Sequence, residues 1–266
     1  MSQPTATHQL IGELRRLAVD TATEAAALAA RLRREGLHVD RKSTATDLVT
    51  NADRACEALI IERLLTARPD DGTLGEEGGN RTGTSGVVWI IDPIDGTTNF
   101  VYDHPGWNVS IGAEIEGEIS AGAVVSPTVD STYTAGLGQG ATLNGRELHL
   151  GDAPSLAEAL IGTGFSYSPT TRAEQARVLV DVVPHVRDVR RMGAAAVDLC
   201  SVGSARLDGY FERGLERWDL AAGSLVATEA GARVGGLDGG PAVPGETVIA
   251  AHRDLFDPLR RLLARD

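Results

Sequence analysis

Cysteine, methionine and aromatic residues are scarce in this chain of 266 residues. The two cysteines, Cys56 and Cys200, form no CxxC pair and sit in helix-like apolar surroundings. A disulfide framework is therefore not indicated, and both read as reduced thiols packed in the core. The six histidines are scattered, with no HxxxH or Cys/His cluster, which disfavours zinc. Positive charge is short as well. Against 37 Asp and Glu stand 25 Lys and Arg, for a formal net charge of -12. Nucleic-acid binding through a general basic footprint is excluded by that balance. An acidic protein that binds phosphate needs cations to do so. No apolar window is long enough to cross a bilayer. The polar opening MSQPTATHQL lacks the basic and apolar segments of an export signal. The expectation is a cytoplasmic protein with no membrane partner. An EF-hand ligand series is missing too, which disfavours a simple Ca²⁺-binding module.

What is present is an ordinary globular composition, 42% hydrophobic, with length enough for one large domain or two small ones sharing a core. Leu10, Leu14, Leu17, Thr21, Ala25, Leu28 and Leu32 recur at helical spacing, with Gly36 as the natural stop. A second helix is expected from Asn51 to Arg68, capped by Thr50 or Asn51. Strands follow at Val87–Ile91, Val109–Ile115, Ile119–Val125, Ser131–Ala135 and Gly140–Leu143. Glu116-Gly117 and Asn144-Gly145 mark hairpin turns. Beyond residue 150 the pattern alternates. Strands are expected at Ala159–Thr163, Val186–Met192, Gly209–Glu212 and Thr247–Ala251. Helices are expected at Thr171–Val182, Ala194–Val202, Asp219–Ala230 and Leu255–Arg265. Such alternation implies a layered α/β region. Asp70–Gly72, Gly78–Gly86 and Gly235–Gly245 read as loops, the second of them mobile.

The densest chemistry lies in Trp89-Ile90-Ile91-Asp92-Pro93-Ile94-Asp95-Gly96-Thr97-Thr98-Asn99-Phe100. A buried strand runs into a turn that can aim Asp92 and Asp95 at one point, and converging carboxylates suit Mg²⁺, Mn²⁺ or Ca²⁺. Gly96 allows positive φ, and its N–H with that of Thr97 can face an anion. An ordinary surface turn uses the same residue types. Four further elements bear on the choice. Glu76 and Glu77 stand among glycines in Leu74–Gly79. Asp219 opens a helix of small residues in Trp218–Gly223, where a plain cap is the alternative. Asp47, Thr50 and Asp53 begin the second helix, preceded by Lys42. Arg191–Ala196 joins a strand end to a helix start, where backbone N–H groups can meet a ligand oxygen or simply pack closely.

These five elements, in this order, resemble the inositol monophosphatase family, within the larger group of Mg²⁺-dependent, lithium-sensitive phosphatases. Asp92–Phe100 and Trp218–Gly223 are similar to its two signatures, and the resemblance covers about Lys42 to Ala251. Gly162–Phe165 and the Val186–Tyr210 run are most similar to actinobacterial-type members. The resemblance implies an α/β fold, a layered αβαβα sandwich also found in fructose-1,6-bisphosphatase, commonly dimeric. It implies a single phosphatase domain over 1–266, with halves 1–150 and 151–266 contributing the metal-binding part and the rest of the substrate site.

The resemblance also implies roles. Glu76, Asp92 and the carbonyl of Ile94 would hold one Mg²⁺, and Asp92, Asp95 and Asp219 a second. A third, weaker ion would lean on Glu76 and waters, and Mn²⁺ can replace Mg²⁺. Thr97, supported by Asp53, would orient and help deprotonate the attacking water, with Glu76 and Glu77 behind the catalytic apparatus. Gly96 and Thr97 would hold phosphate beside Ile94, Asp95 and Lys42. Gly193, Ala194 and Ala195 would line the sugar-alcohol site, and Glu212, with Asp219 close by, would bond inositol hydroxyls. The implied activity is Mg²⁺-dependent hydrolysis of inositol monophosphate. Relatives acting on histidinol phosphate often carry Lys where this chain has Thr98. Another small monoester, or a protein-binding regulatory role on the same fold, is the competing reading.

Overall fold

The structure is a computed structural model and describes residues 6–42, 44 and 47–264. Helix α1 (Ala6–Glu35) ends at Gly36, whose φ of 112° suits glycine and whose N–H bonds the Leu32 carbonyl at 3.1 Å. The deepest row of α1 is Ile11, Leu14, Ala18, Ala22, Ala25 and Ala29. The leucines expected to lead that face, Leu10, Leu17, Leu28 and Leu32, flank it instead. Small side chains at the centre let the helix lie close to the sheet beneath.

A short hairpin, β1 (Val39–Arg41) and β2 (Leu48–Thr50), leads into α2 (Asn51–Ala67). Thr50 caps α2 and exchanges bonds with Asp53 in a capping box. A seven-stranded sheet then forms in chain order. Its strands are β3 (Gly72–Gly75), β4 (Val87–Asp95), β5 (Asn108–Ile115), β6 (Glu118–Ser126), β7 (Ser131–Gly136), β8 (Gly140–Leu143) and β9 (Arg146–Glu147). Only the β3–β4 pair is parallel. Asn144 and Gly145, at φ 50° and 77°, make the tight turn between β8 and β9. Helix α3 (Thr97–Tyr102) follows β4.

The second sheet has the order β11 (Asp188–Arg190), β10 (Leu160–Thr163), β12 (Gly209–Arg213), β14 (Thr247–His252), β13 (Ala232–Gly236). Helices α4 (Pro169–Val182), α5 (Ala195–Gly203), α6 (Arg217–Glu229) and α7 (Arg253–Leu263) alternate with these strands. The closing helix was expected to reach Arg265, which lies outside the described residues.

Four apolar clusters divide the core. One joins α1 and α2 to the large sheet. A second joins the other face of that sheet to α5 and α6. A third joins α5 and α6 to the small sheet, and the fourth joins that sheet to α4 and α7. Four interfaces require five layers, and the αβαβα order is the one expected. Among the described residues no helix is long and apolar enough to cross a membrane. Cys56 and Cys200 are free and buried, and burial pushes the Cys56 thiol up to about 12.

Elements the sequence reading passed over are short or glycine-bounded: β1, β2, β3, α3, β9 and β13. Strand β3 is Gly-Thr-Leu-Gly, a composition that suggests a loop. It forms because β4 offers a parallel partner. Strand β13 extends to Gly236, inside the expected Gly235–Gly245 loop. The 78–86 loop is pinned by the Thr73 hydroxyl on the Gly79 carbonyl at 2.6 Å and by the Ser85 hydroxyl on Asp71 at 2.6 Å.

The central helices depend on small residues. A Cβ on Gly223 of α6 would lie 2.8 Å from the Ala196 carbonyl oxygen and 2.9 Å from Leu199 Cβ of α5. Gly112 and Gly122 give Ala221 and Ala222 the same room against the large sheet. Overpacking here must move backbone, so Gly223→Val should lower unfolding stability by about 1–3 kcal/mol in denaturant titration. An unchanged midpoint would contradict this packing.

Candidate active site

Residues three apart in a regular strand face opposite sides of the sheet, so Asp92 and Asp95 ought to diverge. The register prevents it. Asp92 pairs with Ser110 and Asp95 with Asn108, so β4 carries one residue more than β5 over that step. This bulge turns both carboxylates the same way. Pro93, with no N–H to contribute to a ladder, suits such a place. Oxygen atoms of Asp92, Asp95 and Asp219 then lie within 4.8 Å of one another.

Asp95 is fixed by three donors. Its Oδ2 accepts Asn108 Nδ2 and the Ala196 N–H, each at 2.8 Å, and its Oδ1 accepts the Ala195 N–H at 3.2 Å. The start of α5 therefore binds a protein carboxylate. The sequence left its N–H groups either to meet a ligand oxygen or to pack closely, and those at 195 and 196 are directed to Asp95. Asp219 is the third residue of α6 rather than its cap. Its Oδ2 accepts the Glu216 N–H at 2.7 Å in a capping box.

Glu76 leaves β3 with its N–H on the Ile91 carbonyl at 3.1 Å, which sets it beside β4. Lys42 Nζ donates to Glu76 Oε1 at 2.7 Å and to Glu77 Oε1 at 2.5 Å. The Thr97 hydroxyl lies 3.1 Å from the Ile94 carbonyl and 3.4 Å from Asp53 Oδ1. Asp53 Oδ2 is taken by the Thr50 N–H at 2.8 Å and the Thr50 hydroxyl at 2.5 Å. One carboxylate thus caps α2 with one oxygen and faces Thr97 with the other. Gly96, at φ 82°, passes so near α5 that a Cβ would sit 3.0 Å from Ala194 Cβ.

These residues border a cleft of about 460 Å³ lined by Lys42, Glu76, Asp92, Ile94, Thr97 and others. A recess of about 140 Å³ adjoins it, edged by Gly193, Ala194, Ala195 and Glu212. Asp95, Gly96 and Asp219 border both. Asp53 and Glu77 stand behind the cleft wall. Sequence reading missed Asn108, Glu57 and Tyr210. The buried Tyr210 hydroxyl donates to Glu212 at 2.5 Å. A polar residue opening an apolar strand was the only signal for Asn108.

The electrostatics are those of a site short of positive charge. Burial, then the charges of Glu76, Asp95 and Asp219, hold the Asp92 carboxyl well above its ordinary range. Asp219 is raised by burial and then by Asp95. Burial lifts Asp95 to about 6 against the pull of its N–H donors, and lifts Asp53 to about 6 against its bonds from Thr50. Glu212 is raised by burial to about 7. An oxygen-only donor set, bunched and mutually repelling, fits a hard divalent cation.

The site and fold define a class, the metal-dependent phosphatases built on this five-layer sandwich. The chain belongs to the inositol monophosphatase family, whose profile matches residues 11–264. It is 45% identical to the inositol-1-monophosphatase of Mycobacterium bovis over 95% of this chain and 93% of that one. It is 39% identical to a protein named Nus factor SuhB from Pasteurella multocida, over 86% and 87% of the two chains. The crystal structure of the extragenic suppressor protein suhB from Bartonella henselae superposes with a TM-score of 0.90 at 35% identity, covering 95% of this chain and 99% of that one.

A carboxyl whose native pKa lies above its unfolded value favours the native state when protonated. For Asp53 and Asp95 that stabilisation is complete below 3.8 and is lost as pH rises through about 6. The chelated protein should therefore gain from these groups as pH falls through that window, and Mg²⁺ should flatten the dependence by offsetting the repulsion. Thermal unfolding with EDTA and with Mg²⁺ across the window checks this. A chelated curve no more pH-dependent than the loaded one would contradict it.

Proposed function

We propose that this chain hydrolyses inositol monophosphate to inositol and phosphate in a Mg²⁺-dependent reaction. The observation that carries the reading is the convergence of Asp92, Asp95 and Asp219 beside the Thr97–Asp53 pair. Glu76, Asp92 and the Ile94 carbonyl would hold one ion. Asp92, Asp95 and Asp219 would hold another, with a weaker third near Glu76 and Mn²⁺ as a substitute. Bound divalent ions lower the pKa of a coordinated water and neutralise charge on the phosphoryl group and leaving oxygen.

The side chains do the rest. Thr97 orients the attacking water, and its hydroxyl, 3.4 Å from Asp53 Oδ1, relays a proton toward that carboxylate. The backbone at Gly96 and Thr97 holds phosphate oxygens, with Lys42 at the mouth. Gly193, Ala194 and Ala195 wall the polyol pocket. Glu212, when ionised, accepts hydrogen bonds from ring hydroxyls and would repel a second phosphate, which favours a neutral polyol as leaving group. The family reading also carries a homodimer, lithium sensitivity and a cytoplasmic location.

Phosphate release from myo-inositol 1-phosphate, histidinol phosphate, fructose 1,6-bisphosphate and adenosine 3′,5′-bisphosphate tests the reading. The expected result is preference for the inositol ester with Mg²⁺ and none with EDTA. Preference for another ester keeps the mechanism and changes the substrate. A relative named Nus factor favours one second reading, a protein-binding role, and no turnover of any ester would move the assignment there. Asp95→Asn places an amide where Ala195 and Ala196 donate, so kcat should fall on the order of 100-fold or more, the scale on which outer contacts alone already matter. The far-ultraviolet spectrum should stay unchanged. A fully active variant would sink the assignment.

A further inference from the structure

Glu57 has no place in the mechanism above, yet it is one of the more constrained acids in the chain. It follows Asp53 by one turn of α2 and so shares its face. The residue is 5% exposed. Its partners are backbone N–H groups: Oε2 accepts from Glu77 at 2.8 Å and Oε1 from Gly79 at 2.9 Å. Its carboxylate also fills the space that two absent side chains would need. A Cβ on Gly75 would lie 2.3 Å from Glu57 Oε2, and one on Gly79 would lie 2.9 Å from Oε1. Glu57 therefore grips both ends of the turn that presents Glu76 and Glu77.

A buried acid next to other acids is costly, and burial raises its pKa while the two N–H bonds pull it back. The local fold explains only part of that arrangement. Strand β3 is already secured by β4 on one side and by the Thr73–Arg81 bridge. What Glu57 adds is the position of the turn beyond the strand end.

We propose that Glu57 is a positioning residue for Glu76, clamping the Gly75–Gly79 turn to α2 so that the Glu76 carboxylate is held at the cleft in advance of metal binding. This rests on the reading that Glu76 helps hold a divalent ion. One helix face then indexes two parts of the site: Asp53 against Thr97, and Glu57 against the Glu76 turn. Without the clamp, ion binding must also order the turn, and affinity falls.

The test compares wild type, Glu57→Gln, Gly75→Ala and the double variant. Mn²⁺ is titrated calorimetrically, and amide exchange at residues 76–80 and thermal unfolding in EDTA are followed. For Glu57→Gln the dissociation constant should rise about 10–100-fold, the range typical of contacts that orient a metal ligand. Exchange at 76–80 should accelerate, while kcat at saturating Mg²⁺ returns to within about threefold of wild type because mass action restores occupancy. Gly75→Ala pushes the carboxylate away and should reproduce these effects. The double variant should add nothing, since both changes break one clamp. Unchanged Mn²⁺ affinity and exchange in the single variants would overturn the proposal, as would losses that multiply in the double. If Glu57→Gln fails to fold, Gly75→Ala decides by the same readouts. Wild type that binds no Mn²⁺ would instead defeat the underlying metal reading, a distinct outcome in which the clamp falls with it.

Discussion

Three carboxylates that repel one another are held together in this fold, and most of the architecture around them serves that end. Asp92 and Asp95 share a direction because β4 bulges between them. Asp219 arrives from α6, in the layer between the two sheets, at the third position of the helix. Burial and mutual repulsion raise all three carboxyls. Such a cost suits the proposed cation site, where bound positive charge would relieve the repulsion that the Asn108 amide and the α5 N–H groups offset only at Asp95.

The attachment of Asp95 shows how the parts depend on one another. Its oxygens take backbone N–H groups from α5 and an amide from Asn108 of β5. The positive end of a helix is thereby spent on an acid of the protein, fixing it in orientation. Helix α5 can come that close only because Gly96 lacks a side chain and Gly223 lets α6 cross α5 without a gap. The stripe of small residues in Ala221–Gly223 thus belongs to the same design as the acids, although it lines neither the cleft nor the recess.

Much of this was legible in advance. Asp92–Phe100 and Trp218–Gly223 pointed to the acids only in combination: singly, a surface turn and a plain helix cap accounted for them as well, and the order of the five elements with its family resemblance decided. The long periodic segments announced their helices by local pattern alone. Other features depend on pairing that no window of sequence contains. The bulge exists only relative to β5, and β3 becomes a strand only beside β4. The alanine row of α1 shows its depth only against the sheet. Asn108 and Glu57 looked like an ordinary strand opener and an ordinary helix surface residue. Asn108 is tied to the Asp95 carboxylate of the neighbouring strand, and Glu57 to backbone N–H groups at 77 and 79.

On the proposed function, Asp92, Asp95 and Asp219 share divalent ions. The most direct measurement is a crystal structure grown with Mn²⁺ and read by anomalous scattering. Anomalous density lying between these three carboxylates is the predicted result. A well-ordered cleft with no peak there at saturating Mn²⁺ would contradict the account, whatever activity the protein showed.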